Sequence, residues 1–485
     1  MPLRAKFTNP AFADLQAKRM SSNKSNIPKE LPGDEPDDVL FNSLYGIRLI
    51  ELNRPKKLNS LNGSMARKIL PRLVEWQKSD MANIIIIAGA GEKAFCAGGD
   101  VAELAKQNDT PEGQQKSTDY FALEYKLDHL IATYPKPYVS YMDGITMGGG
   151  VGLSVHAPFR IATERTIFAM PETTIGFFPD VGGSFFLSRL DGQIGTYLAL
   201  TSERLNGRNA YLAGIATHYL HSSDLKNLTT RLSELVFDDI APYFERLELV
   251  NSTITEFTQP LPLASELPPS PHGDLVGSLR KAIDRCFSKG TIEEIITALE
   301  EESKSSSAEL SKWAEDTLKT LKMRSPTSLK VTLEQIRRGK SWSIAETFVR
   351  EHTMAKNFMR HPDFVEGVTS RLISKPPRTP NWQPSSLSEV SSETVESFFK
   401  IDRNHQLELI AHESVPNFLG YPYQKLGISL PSEEVIRTIV QELQASGNPF
   451  SKYHVLDRLK ERFGKGLVGK QGLEEKVTDV MERMG

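Results

Sequence analysis

The segment DGITMGGGVGLSVHAPFRIATERTIFAMPETTIGFFPDVGG, residues 143–183, holds three consecutive glycines and two proline-preceded carboxylates. Gly148, Gly149 and Gly150 follow an apolar, β-prone run, Pro137 to Met142, and precede apolar residues with helical spacing at Val151, Leu153 and Val155. Three adjacent residues without a Cβ let the backbone turn sharply and let another molecule approach its amides. At a helix start these N–H groups lack intrahelical acceptors, so they point outward as donors. Glu172 follows Pro171, and eight residues later Asp180 follows Pro179, each in a stiff turn. Donor amides beside two rigid carboxylates suit acyl chemistry, with amides for a developing oxyanion and a carboxylate to activate water or to attack.

A second glycine turn lies upstream. Asn83 to Ala88 (NIIIIA) is a short β-branched run bounded by Gly89 and Gly91, the signature of a buried strand. It leads into AFCAGGD, residues 94–100, and a helical pattern from Val101. One Gly-Gly pair would be an ordinary tight turn; two such units in one chain, with carboxylates after the second, point to a site. Cys96 lies in this turn without a histidine in its motif to activate it, so a packing role is expected. His156, inside the helix that follows the second turn, is also expected to pack.

Composition bounds the rest. A chain of 485 residues exceeds one compact core, so one large domain with appendages is expected. A net charge of −3 argues against a general nucleic-acid binder, DNA included. No apolar run approaches a membrane span. Two cysteines, Cys96 and Cys286, suffice for neither a metal cluster nor a disulfide framework, and no metal site is expected.

The motifs AFCAGGD, GITMGGG, MPET and GFFPDVGG, together with LNRPKKLNSLN at residues 52–62, resemble the crotonase superfamily, and within it the 3-hydroxyisobutyryl-CoA hydrolase branch. The resemblance runs from about Val39 to Pro384. It implies an α/β fold, a crotonase-like spiral of ββα units with a helical C-terminal region. The implied division is a leader and linker over 1–38, an acyl-CoA hydrolase domain over 39–384 with its spiral core to about 221, and a mostly helical extension over 385–485 with no chemistry of its own.

In chain order, Met1 to Ser25 carries Arg4, Lys6, Lys18, Arg19 and Lys24 against Asp14 alone, a basic, serine-containing leader like a mitochondrial transit peptide. A linker rich in proline and acid follows, Pro28 to Asp38. Phe41 to Leu52 reads as a β-hairpin turning at Tyr45-Gly46, and Ser64 to Gln77 as a helix capped by Asn62 or Ser64. Gly113 to Thr133 reads as an amphipathic helix with Phe121, Leu123, Leu127 and Leu130 inward, and Glu124 beside them. Arg160 to Met170 reads as one strand, Thr291 to Leu321 as helical, and Ser325 with Pro326 as the start of a further set of helices. Ser432 to Gly485 alternates helices with turns at Gly447-Asn448-Pro449 and Gly464 to Gly466.

By motif position, the resemblance makes the amides of Gly99 and Gly149 the oxyanion donors and Glu172 the general base or nucleophile. Asp180 would bind the substrate hydroxyl or the attacking system. Glu124, Gly98 and Gly148 would line the substrate pocket, and Lys56 and Lys57 would meet the phosphates of coenzyme A. The expected activity is hydrolysis of 3-hydroxyisobutyryl-CoA in valine catabolism, in the mitochondrial matrix. No cofactor is required, coenzyme A being part of the substrate. Enoyl-CoA hydratases carry a second glutamate where this chain has Gly152, which makes hydration the weaker reading. A reading of another class comes from fungi, where hydrolase-like proteins are structural subunits of the small subunit of the mitochondrial ribosome. The partners to consider are thus an acyl-CoA, a second copy of the chain, and that ribosomal subunit.

Overall fold

The computed structural model describes residues 27–484, apart from 239–240, 268–269, 402–405, 411–414 and 448. The basic leader, and with it the transit-peptide reading, lies outside the described residues, as does the central residue of the 447–449 turn. The strands are Val39–Leu44 (β1), Ile47–Leu52 (β2), Ile84–Gly89 (β3), Ala94–Cys96 (β4), Tyr138–Met142 (β5), Ile145–Met147 (β6), Phe159–Ala162 (β7), Ile167–Ala169 (β8), Leu205–Asn206 (β9) and His218–Tyr219 (β10). They form a six-stranded sheet, order β1-β2-β3-β5-β7-β10, and a four-stranded sheet, order β4-β6-β8-β9.

The chain places one strand in the first sheet, the next in the second, and then turns into helix. It does so at β3–β4 with Val101–Gln107, at β5–β6 with Gly149–Val155, and at β7–β8 with the 3₁₀ turn Glu172–Ile175. This is the expected spiral of ββα units. Neighbours pair in parallel except for the hairpin β1–β2 and the antiparallel pair β8–β9. Strand β3 is buried on both faces along Ile84 to Ile87, as a central parallel strand requires.

One expectation changes. Arg160 to Met170 is not one strand but β7 and β8, in different sheets. The polar run between them makes a turn, in which Thr163 N donates to Thr166 Oγ1 at 2.8 Å and Arg165 pairs with Asp143. Thr291 to Leu321 is helical, as expected, and is divided into Ile292–Glu302 capped by Thr291 and Ala308–Lys322 capped by Ser307. The serine-rich junction offers backbone-competing hydroxyls and a new cap instead of helix continuity.

The acid-rich linker is fastened to the first helix and the loop before it. Asp34 pairs with Arg67, Asp38 with Lys68 at 2.6 Å, and Glu35 with Arg54 at 3.1 Å. The C-terminal segment is docked rather than loosely appended. Phe398, Tyr421, Ile436, Val455 and Val477 belong to the same buried apolar cluster as Phe159, Phe178 and Phe348. Beneath the helix Glu433–Ala445, Glu433 lies between the guanidinium groups of Arg280 and Arg483, while Lys476 pairs with Asp191 at 2.7 Å. The tail is thus held by ion pairs as well as by apolar packing.

Candidate active site

Strands β4, β6 and β8 are adjacent and parallel, so the turns leaving their C-terminal ends stand side by side. β4 leads into Gly98 (φ +105°), β6 into Gly148 (φ +45°), and β8 into the Glu172 turn. The two positive φ values explain why glycine stands at both positions. Gly148 packs so close that a Cβ there would lie 3.3 Å from the Gly98 Cα.

The LNRPKKLNSLN segment fixes the first turn. Leu61 N donates to Gly98 O and Asp100 N to Leu61 O, each at 2.8 Å. Asn59 Nδ2 donates to the carbonyls of Ala90 and Ala94, and Arg54 reaches Asp100 at 3.1 Å. Among the described residues the amides of Gly99 and Gly149 meet no protein acceptor. Both turns line a cavity of about 600 Å³ together with Glu124, Glu172 and Asp180. A Cβ added at Gly149 would sit 3.4 Å from the Gly99 nitrogen and 2.5 Å from Glu124 Oε1; one at Gly148 would sit 3.1 Å from Glu172 Oε1. The two amide-bearing turns and two of the acids therefore converge on one space.

Asp180 is held by a turn clamped from four sides. Tyr125 donates to Asp180 Oδ2 at 2.7 Å, and Gln335 to the Pro179 carbonyl at 2.6 Å. Glu351 accepts from Gly182 N and Ser184 N at 2.7 and 2.8 Å. The next residue, Val181, has φ +51°, a strained conformation for a β-branched side chain. Its carbonyl is 2.8 Å from His156 Nε2, which must donate, so Nδ1 accepts from the Tyr421 hydroxyl at 2.8 Å. Burial pushes His156 down to about 4, keeping the ring neutral. His156 is thus packed, as expected, and also links the Asp180 turn to the C-terminal segment.

Burial dominates the electrostatics. It raises Glu172 well above the usual carboxylate range, and the Asp180 charge adds to the effect. It raises Asp180 to about 7 despite the Tyr125 hydrogen bond, and Glu124 well above its ordinary value, again reinforced by Asp180. Cys96 is buried with its thiol pushed up to about 12, which leaves no thiolate to attack.

The lysines stand apart from this centre. Lys56 and Lys57 form an exposed 3₁₀ turn, and Lys57 Nζ lies 3.2 Å from Asp100, which lines the cavity. Residues not anticipated from sequence include Arg204 and Arg324 in the cavity wall, and Tyr125, Asp128 and Glu351 around it. Only Asp128 had a signal. It lies four residues after Glu124 on the helix Pro111–Ala132, hence on the same face.

Asp128 is fully buried, and neither oxygen has a hydrogen-bond partner among the described residues. Burial first, then the charge of Glu124, raises it well above the usual range. It fills the space beside Gly152, where an added Cβ would come within 2.6–2.8 Å of its carboxyl atoms. Because the folded state holds this proton more tightly than the unfolded chain, its stabilisation is full below the ordinary aspartate value of 3.8 and is lost as pH rises. The melting temperature of Asp128→Asn relative to the parent should therefore increase between pH 5 and pH 9, by ~2 °C or more. An unchanged difference across that range would show that Asp128 is not held protonated.

Residues 47–399 match the family model described as enoyl-CoA hydratase/isomerase. The small ribosomal subunit protein mS47 of Neurospora crassa is 53% identical, over 100% of this chain and 92% of its own length. The mitochondrial 3-hydroxyisobutyryl-CoA hydrolase of Gallus gallus is 43% identical, over 78% of this chain and 92% of its own. Among solved structures, a carnitinyl-CoA dehydratase from Mycobacterium thermoresistibile superposes with a TM-score of 0.65 at 34% identity, covering 77% of this chain and 99% of that one.

Proposed function

The chain belongs to the enoyl-CoA hydratase/isomerase family, and from that membership we propose that it hydrolyses short 3-hydroxyacyl-CoA thioesters, 3-hydroxyisobutyryl-CoA above all, in the mitochondrial matrix. The observation that carries this reading is the convergence of two glycine turns with free amides on one cavity lined by Glu172 and Asp180. The thioester oxygen takes its place between the Gly99 and Gly149 amides. Water adds to the carbonyl carbon as Glu172 removes its proton, and the oxyanion draws on both amides. Collapse breaks the C–S bond; coenzyme A leaves as the thiolate and takes up a proton. Attack by Glu172 itself, through a mixed anhydride, uses the same groups.

Asp180, fixed by Tyr125, receives the substrate 3-hydroxyl. Arg204, Arg324 and the lysines Lys56 and Lys57 supply positive charge for the phosphates, while the carboxyls occupy the acyl end. Asp128 supports hydrolysis over hydration, because its carboxyl leaves no room for the side chain that hydratases carry at Gly152.

Free-thiol release from several acyl-CoAs tests this reading. Release should be fastest with 3-hydroxyisobutyryl-CoA, and kcat/KM should climb from pH 6 to pH 9, since the raised carboxyls become bases only on losing their protons. Hydration of crotonyl-CoA outpacing thiol release would overturn the assignment.

One observation favours a second role, as a component of the small subunit of the mitochondrial ribosome. The Neurospora crassa ribosomal protein matches the whole chain, whereas the Gallus gallus hydrolase matches 78% of it. Sedimentation of the endogenous protein with the small subunit, and its loss from that fraction on deleting the C-terminal segment, would support this role; sedimentation solely as free protein would refute it.

A further inference from the structure

A second cavity, about 560 Å³, opens between the spiral core and the C-terminal segment. Its walls carry Arg160, Arg189, Lys425, Arg462 and Lys476 against one carboxylate, Asp191. That carboxylate is already engaged, pairing with Lys476 and accepting from Glu433 N at 2.9 Å.

The two arginines from the core have neutral partners. Arg160 is 5% exposed and donates to the carbonyls of Ile215, Ala157 and Gly214. Arg189 donates to the carbonyls of Phe185, Gly339, Trp342 and others, and stacks over the Phe185 ring at 3.7 Å. Neither meets a carboxylate among the described residues, so two guanidinium charges stand partly or wholly out of water without a counter-ion, an arrangement that costs free energy. The field is felt nearby. Burial lowers buried Lys470 to about 7, and the Arg160 charge adds to that effect.

Lys425 and Arg462 are exposed at this cavity and have no ion pair among the described residues, so their donors are available. Ser432, the cap of the thirteen-residue helix Glu433–Ala445, lies in the same wall, but that helix start is already capped by Asp191 on Glu433 N and by the Ser432 hydroxyl on Val435 N. Glu433 itself turns away to Arg280 and Arg483. The remaining wall mixes the rings of Tyr421, Tyr423, Phe186 and Phe463 with aliphatic residues such as Leu190, Leu430 and Pro431.

We propose that this cleft binds a nucleotide-sized anion, with phosphate groups on Lys425 and Arg462 and a flat ring against the tyrosines. The ligand supplies the counter-charge that Arg160 and Arg189 lack. The concave, ring-lined shape favours a small molecule over a nucleic-acid backbone, which would need an open basic surface.

Titration calorimetry of the full chain with ADP, inorganic pyrophosphate and adenosine tests the site. ADP should bind more tightly than either fragment, and the affinity should fall as salt is raised. The double variant Lys425→Ala/Arg462→Ala removes only exposed side chains. It should weaken ADP by about tenfold or more, the value of one or two charged hydrogen bonds. The loss caused by the Lys425/Arg462 change should persist in a Lys56→Ala/Lys57→Ala background, which removes ADP held at the mouth of the other cavity. Equal ADP affinity in parent and Lys425/Arg462 variant, or loss only in the Lys56/Lys57 variant, overturns the proposal. So does an RNA oligonucleotide that binds more tightly than ADP and depends on Lys425 and Arg462.

Discussion

Glu172→Gln is expected to lower thioester turnover by at least ~10²-fold while leaving substrate binding nearly intact. Glutamine preserves the volume and most of the hydrogen bonding at a position only 5% exposed, so neither a cavity nor a backbone shift follows. What disappears is the ability to accept a proton or form an anhydride. In the parent, burial and the neighbouring Asp180 charge make Glu172 an unusually strong base, and that strength is what the amide lacks. The two glycine amides remain, so residual activity from oxyanion stabilisation should persist. A single turnover in oxygen-labelled water separates the two routes in the parent, because label enters Glu172 only through the anhydride. Turnover of the glutamine variant within a factor of a few of the parent would remove Glu172 from the mechanism.

The largest effect on stability is expected at Glu433, far from the chemistry. Glu433→Ala should cost about 3–5 kcal/mol, read as a lower denaturation midpoint and faster proteolysis of the C-terminal segment. The carboxylate lies between Arg280, 1% exposed, and Arg483, 9% exposed, and its removal leaves both guanidinium groups buried beside each other. Each keeps a flanking acid, Asp284 at 3.2 Å and Asp479 at 2.9 Å, which limits the loss without cancelling it. The exposed pair Arg458–Glu461 is the control, because solvent screens it and truncating Arg458 should change the unfolding free energy by less than ~0.5 kcal/mol. A Glu433→Ala midpoint indistinguishable from the parent would show that the tail is held by apolar packing alone.

Local sequence determined the parts of this protein that depend on neighbouring residues. The glycines at 98 and 148 announced backbone turns because positive φ is readily accessible only to them, and both turns lie where that logic put them. Asn62 and Ser325 announced helix starts through their side-chain caps. The isoleucine run at 84–87 announced a central strand. Motif resemblance then grouped Gly99, Gly149, Glu124 and Glu172 before any distance was known.

Tertiary structure alone decided the rest. Pairing of β4, β6 and β8 brings three turns, each from a different ββα unit, onto one cavity, and no spacing along the chain encodes that adjacency. The clamp on Asp180 draws Tyr125, His156, Gln335, Glu351 and Tyr421 from separate segments, so none of their local contexts could reveal it. The raised carboxyls are likewise collective. A carboxylate becomes a base near neutral pH only when the whole fold removes its water and sets other acids beside it, and that is a property of enclosure rather than of residue order.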